Sequence, residues 1–326
     1  MSKQVEKRPE GKKNPTHILL FLFALLLPST MWVLLGWTSS FLPLLVFVFI
    51  SKYGWSYTNR HILIAILIAA PSSYFLQNLE LTLFCIALLP AGYAVAYSAR
   101  SGEEPWKAGL KGWLTLCISI ILYFNILLFN SDISFFQAIS QAMNSGIDEA
   151  LRQYRDTDSL SPENQVVLEE TLNQIKVIAP LVLPSILGSI LALLSWMTVV
   201  LGNTILPKIN CSQPWVDYRL WRLPEKLVWI LIASGITALL PTGILRVVGI
   251  NCLIVTVTLY SFQGLAVIVY LLNKWNVPRF VRTFLYVMLI VQSFGTILLI
   301  TVGVADVWFD IRRRFAVGPD NNNDTE

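Results

Sequence analysis

Long apolar runs separated by short polar joints dominate the chain. Runs such as Ile62 to Ala70 and Ile297 to Val304 are continuous, unlike the alternating ten-residue strands of an outer-membrane barrel. A helix needs about 20 apolar residues to cross a hydrocarbon core about 30 Å thick. Nine segments approach that size, at roughly 17–36, 40–54, 61–76, 79–98, 109–129, 176–203, 225–241, 246–272 and 283–305. The pattern predicts an all-α fold, a polytopic transmembrane helix bundle with eight or nine membrane segments. The second segment is short and contains Pro43, and a tight turn around Gln77 and Asn78 joins the third to the fourth.

One long polar stretch interrupts the pattern, between the fifth and sixth segments. Within it Ile133, Phe136, Ile139, Met143, Ile147, Leu151 and Tyr154 recur at three- and four-residue steps, one face of an amphipathic helix. Asp156 to Ser161 reads as a turn. Ser161, Pro162 and Glu163 then supply a capping hydroxyl, a first-turn proline and a first-turn carboxylate. Val167, Leu168, Leu172 and Ile175 continue a second apolar stripe into the sixth segment. The expectation is a helical hairpin standing on the membrane. The chain is thus divided into a basic tail at 1–16, N-terminal transmembrane helices at 17–129, an acidic hairpin at 130–175, C-terminal transmembrane helices at 176–311 with a loop at 204–224, and a polar tail at 312–326.

Composition agrees with the class: of 326 residues, 55% are hydrophobic and only 13% charged, against about 25% charged in soluble domains. A soluble enzyme, a disordered chain and a disulfide scaffold are excluded. Charge placement then gives orientation. The stretch from Ser131 to Lys176 holds eight acids against Arg152, Arg155 and Lys176. The short loops are basic, with Lys52 and Arg60, then Arg100, Lys107 and Lys111, then Lys208, Arg219, Arg222 and Lys226, then Lys274, Arg279 and Arg282. With the N-terminus cytoplasmic, these basic loops all fall inside and the hairpin outside. The first run, from His17, reads as an uncleaved signal-anchor. The ninth segment leaves the side of Arg312, Arg313 and Arg314 open, because a re-entrant 225–241 would reverse it.

No catalytic signature appears: no Walker A motif, no H-E-x-x-H and no G-x-S-x-G. The four cysteines form no C-x-x-C pair, so no metal site and no cofactor are expected. His17 and His61 each open an apolar run, where an amphipathic ring suits the interface. Glu80 sits at a turn and Asp306 near a helix end, so both are expected to reach the interface, and no intramembrane carboxylate flags ion-driven pumping.

Two constellations remain, each with a functional and a bland reading. Trp215, Asp217, Arg219, Trp221 and Arg222 crowd one basic loop ending at Pro224. They form either a docking surface for a cytoplasmic protein partner at 215–224 or an aromatic belt at headgroup level. Thr256, Tyr260 and Gln263 share a face of the eighth segment, and Gln292 with Thr296 shares one on the ninth. They form either an uncharged polar pocket for a small ligand or interhelical hydrogen bonds. Ser185, Gly188, Ser189, Ala192 and Ser195 form a small-residue stripe suited to close helix packing.

Three stretches carry a family resemblance. Pro43-Leu-Leu leads to Lys52-Tyr-Gly54, Asp217-Tyr-Arg-Leu-Trp-Arg-Leu-Pro precedes a Trp-bearing helix, and Gln263-Gly-Leu-Ala-Val leads to Lys274-Trp-Asn-Val-Pro278-Arg279. Together with Ala305-Asp-Val-Trp-Phe-Asp310-Ile-Arg312, they resemble the YybS-like family of bacterial multipass membrane proteins. That family is in turn similar, in its N-terminal helices, to substrate-binding S-components of energy-coupling-factor transporters and to a rod-shape membrane protein. The resemblance implies small-molecule capture in a bacterial cytoplasmic (inner) membrane and brings no catalytic residues.

The expectation is therefore a non-enzymatic integral membrane protein. It either binds a small solute or lipid in a transport-related role, or organises envelope assembly as a scaffold with no small ligand. The bilayer is its first partner, and nothing points to nucleic acid.

Overall fold

The computed structural model describes residues 15–129, 133–156 and 162–316. All regular structure among them is helical: α1 (Pro15–Thr30), α2 (Trp32–Leu35), α3 (Leu42–Tyr53), α4 (Trp55–Phe75), α5 (Leu79–Arg100), α6 (Pro105–Leu127), α7 (Phe135–Asp156), α8 (Pro162–Ile205), α9 (Leu227–Ala238), α10 (Ile244–Lys274), α11 (Arg279–Val291), α12 (Ser293–Phe309) and α13 (Ile311–Ala316), with 3₁₀ turns at Gly36–Phe41, Leu206–Ile209 and Tyr218–Leu220. The expected basic tail, the turn at 157–161 and the end of the polar tail lie outside the described residues, apart from residues 15–16 and 312–316.

Five stretches are long and apolar enough to cross a membrane: Trp32–Tyr53, α5, α6, Val166–Ile209 and α10, with a sixth if the bent pair α11 and α12 forms one span. The expected eight or nine is not reached by length and composition. The shortfall has local causes. The first apolar run ends early, at Thr30, and the chain restarts at Trp32 to run on through the Pro43 segment. α1 has 16 residues and α9 only 12. α4 opens with Asn59, Arg60 and His61 in its first turns. The turn expected at Gln77 and Asn78 is present, with Gln77 in the left-handed region at φ 58°.

The chain divides into two compact units, Met1–Pro184 with Ile190–Trp215, and Ser185–Ser189 with Val216–Glu326. In the first, α3 lies against α5 so closely that any side chain at Gly92 would collide with the Pro43 carbonyl and Val46. Ser195 of α8 donates to the Gly109 carbonyl of α6 at 2.7 Å, so this member of the small-residue stripe sits at a helix crossing. His17 and His61, both expected at the interface, meet at Tyr57. His17 Nδ1 lies 2.7 Å from the Tyr57 hydroxyl, and His61 is buried and stacked on Tyr57. The expected amphipathic helix is α7, and Asp148 on it pairs with Lys176 of α8 at 2.5 Å. α8 is continuous for 44 residues and contains Pro180 and Pro184.

In the second unit α10 packs on α9 and α12. Gly264 lies against the Leu299 carbonyl and Gly303 against the Tyr260 carbonyl, so α10 and α12 meet backbone to backbone, a contact that only small residues permit. α11 and α12 meet at a 99° bend, with Gln292 in extended conformation at the joint.

Candidate functional site

The sequence placed its docking surface and part of its ligand face on separate elements. The structure joins them within the second unit. Gln263, buried on α10, accepts from the Leu223 backbone N–H at 3.1 Å through Oε1 and donates to Asp306 Oδ2 at 3.1 Å through Nε2. Asp306 and Arg312 are both 4% exposed. They form an ion pair at 2.6 Å. The backbone makes this pair possible. α12 ends at Asp310 in the left-handed region at φ 42°, which turns the chain back and brings Arg312 onto the carboxylate six residues behind it. The other guanidinium nitrogen donates to the carbonyls of Arg219 at 3.0 Å and Trp221 at 2.7 Å. Arg222 pairs with Asp310, and the Tyr218 hydroxyl donates to the Phe262 carbonyl. Asp306 and Arg312 thus clasp the loop 216–224 to the ends of α10 and α12.

This corrects two expectations. Asp306 is a buried ion-pair partner and not a solvent-facing carboxylate. Arg312 belongs to the interior of the second unit and not to a polar tail. A buried charge is tolerated when it is paired and hydrogen-bonded, and the loop carbonyls supply what a lone carboxylate could not. Asp306 Oδ1 and Arg312 Nε have no hydrogen-bond partner among the described residues.

The residues singled out in the sequence divide as follows. Asp217 and Arg219 are exposed and pair with each other at 3.1 Å. Trp221 is half-buried and donates to the Val216 carbonyl at 2.8 Å. Trp215 does not belong to this surface. It is buried in the first unit, where its backbone N–H donates to Asn203 at 3.1 Å and its indole to the Glu103 carbonyl at 2.7 Å. On the other face, Thr256 donates within its own helix, to Cys252 and Leu253. Tyr260 is fully buried and its hydroxyl has no partner among the described residues. Gln292, expected beside Thr296 on one helix face, instead caps α12 at the bend and is exposed. A helix break there removes the assumed spacing.

The first unit holds a feature that sequence reading missed. An open cleft of about 540 Å³ lies between the ends of α3 and α5, the start of α4 and the loop after α8. Ser51, Lys52, Trp55, Arg100, Asn210 and Ser212 line it. Lys52 and Arg100 are exposed and neither enters an ion pair among the described residues, although Lys52 Nζ lies 5.3 Å from the Tyr53 ring centre. Nearby acids are engaged elsewhere. Glu103 pairs with Lys111 at 2.6 Å, which holds its carboxyl below the usual range, and Glu104 accepts from the Trp106 indole at 2.7 Å. Among the described residues no group of three or more His, Cys, Asp and Glu is placed to hold a metal ion.

No curated protein and no solved structure matches the chain. A family model described as a predicted membrane protein (DUF2232) matches residues 16–307. The match runs from the first apolar helix to the clasp at Asp306, and on its extent the chain belongs to this family of membrane proteins.

Proposed function

We propose that this is a non-enzymatic structural protein of a bacterial cytoplasmic membrane, with its N-terminus cytoplasmic, that presents the clasped loop 216–224 to a protein partner. One observation carries this reading. Both ends of the Gln263 amide are spent on the protein itself, on the loop at Leu223 and on Asp306. A residue suited to grip a ligand is instead used to fix the loop. The loop so held displays Val216, Asp217, Arg219 and Leu220 to its surroundings. A surface fixed before contact loses less conformational entropy on binding.

The test uses the full-length chain in mild detergent. Arg219→Ala with Leu220→Ala should abolish co-purification of the partner while membrane abundance and melting temperature hold. An unchanged set of co-purifying proteins sinks the scaffold reading.

A transport-related reading stands second. It is supported by the resemblance to S-components and by the buried, unpartnered Tyr260 hydroxyl. A metabolite seen in native mass spectrometry of the wild type, and lost in Tyr260→Phe, would put it first.

A further inference from the structure

We infer that the cleft between the ends of α3 and α5 binds a phosphate-bearing anion. This site is separate from the clasped loop and does not depend on the function proposed for it.

The observations are the lining and its charge. Among the described residues, Lys52 and Arg100 line the cleft without a counter-ion, and no acid lines it. Ser51 and Ser212 add hydroxyl donors, Asn210 an amide and Trp55 an indole. Arg suits phosphate because its planar fork donates two parallel bonds, and Lys adds a point charge. A volume of about 540 Å³ suits a small ligand or a lipid headgroup.

Another role for the two cations is compensation of helix dipoles, since basic residues favour helix C-termini. The charge count decides against that as their whole role. α3, α5 and the turn at Leu206–Ile209 end at the cleft and α4 begins there. At about half a charge per helix end, these ends supply about −1 in sum. Two full positive charges leave about +1 uncompensated in a cleft that no carboxylate among the described residues lines.

The phosphate has two possible sources, the headgroup of an anionic lipid or a soluble phosphate ester. Trp55, which lines the cleft, is of the type that sits at the membrane interface. The chemistry of recognition is the same for both sources.

The experiment takes the purified full-length chain in detergent and titrates it by native mass spectrometry with phosphatidylglycerol, phosphatidylcholine or glycerol phosphate. Phosphatidylglycerol or glycerol phosphate should bind, and Lys52→Gln with Arg100→Gln should weaken that binding about tenfold or more, as expected when charge-assisted contacts are lost. Binding of phosphatidylglycerol alone assigns the source to lipid, and binding of both assigns it to the phosphate group. The control is Arg60→Gln with Lys107→Gln, which removes two exposed charges outside the cleft lining. A second readout uses Cys211, which also lines the cleft. With Cys85, Cys117 and Cys252 replaced by Ala, the bound probe should slow maleimide labelling of Cys211. If the first double variant folds poorly, Ser212→Glu on the exposed rim puts a carboxylate into the cleft and should abolish binding. The inference is overturned if neither phosphate probe binds, if the control weakens binding as much as the cleft variant, or if phosphatidylcholine binds equally and is equally indifferent to all variants.

Discussion

The clasp in the second unit and the cleft in the first each hold basic side chains in a membrane protein, and they use them in opposite ways. Arg312 is buried and faces a carboxylate and two carbonyls. Lys52 and Arg100 are exposed and face no acid among the described residues. A desolvated cation must find its counter-charge within the chain, because its absence costs several kcal/mol. A cation at a wet rim needs none and remains open to an outside anion. Burial therefore separates charges that hold the fold from charges free to bind.

The largest expected effect comes from breaking the buried pair on one side. Arg312→Met leaves Asp306 buried without its cation and should cost about 3–5 kcal/mol, read as a large drop in melting temperature in detergent. Asp306→Leu combined with Arg312→Met should recover much of that loss. A single variant as stable as the wild type would remove the contrast altogether. Next, Trp215→Phe keeps a smaller aromatic ring near Phe47 but deletes the bond to the Glu103 carbonyl, with an expected loss of about 1 kcal/mol for that bond. Loss of nothing would mean that ring packing alone anchors the start of the loop.

A smaller, pH-dependent effect is expected at Glu103. Lys111 holds this carboxyl below its usual range, so its contribution is present above the unfolded-state value of about 4.3 and disappears as pH falls through the lower folded-state value. Glu103→Gln should melt slightly below wild type at neutral pH, and the two curves should converge on acidification below about pH 4. Curves that diverge on acidification would reverse the sign and refute the assignment. The smallest effect is expected at the cleft. Lys52→Gln with Arg100→Gln should change stability by less than about 0.5 kcal/mol, and a clear destabilisation would show that these cations support the fold after all.

Much of the fold was legible in the sequence because hydrophobic length and period are local properties. The amphipathic α7, the turn at Gln77 and the long apolar α10 follow directly from them. The span count was less legible, because a run of apolar letters does not show where a helix breaks. Met31 splits the first run, and the extended Gln292 splits the last. The clasp was half legible. Gln263 shares a polar helix face with Thr256 and Tyr260 by spacing alone, but Asp306 and Arg312 sit six residues apart across a left-handed Asp310, a geometry that no helical spacing encodes. The cleft was invisible for the opposite reason. Its lining comes from three separated stretches, and Lys52 and Arg100 each read as an ordinary loop charge that orients a membrane protein.

The unbroken α8 carries a further consequence. Its 44 residues at 1.5 Å each give a rod of about 66 Å, roughly twice the hydrocarbon thickness of about 30 Å. A helix of that length set upright in a bilayer would extend well beyond the acyl chains, and a lone helix in water is marginal without company. α7, tied on by Asp148 and Lys176, provides that company. The ion pair thus joins a 22-residue helix to the long one, and the two can shield each other wherever α8 leaves the acyl chains.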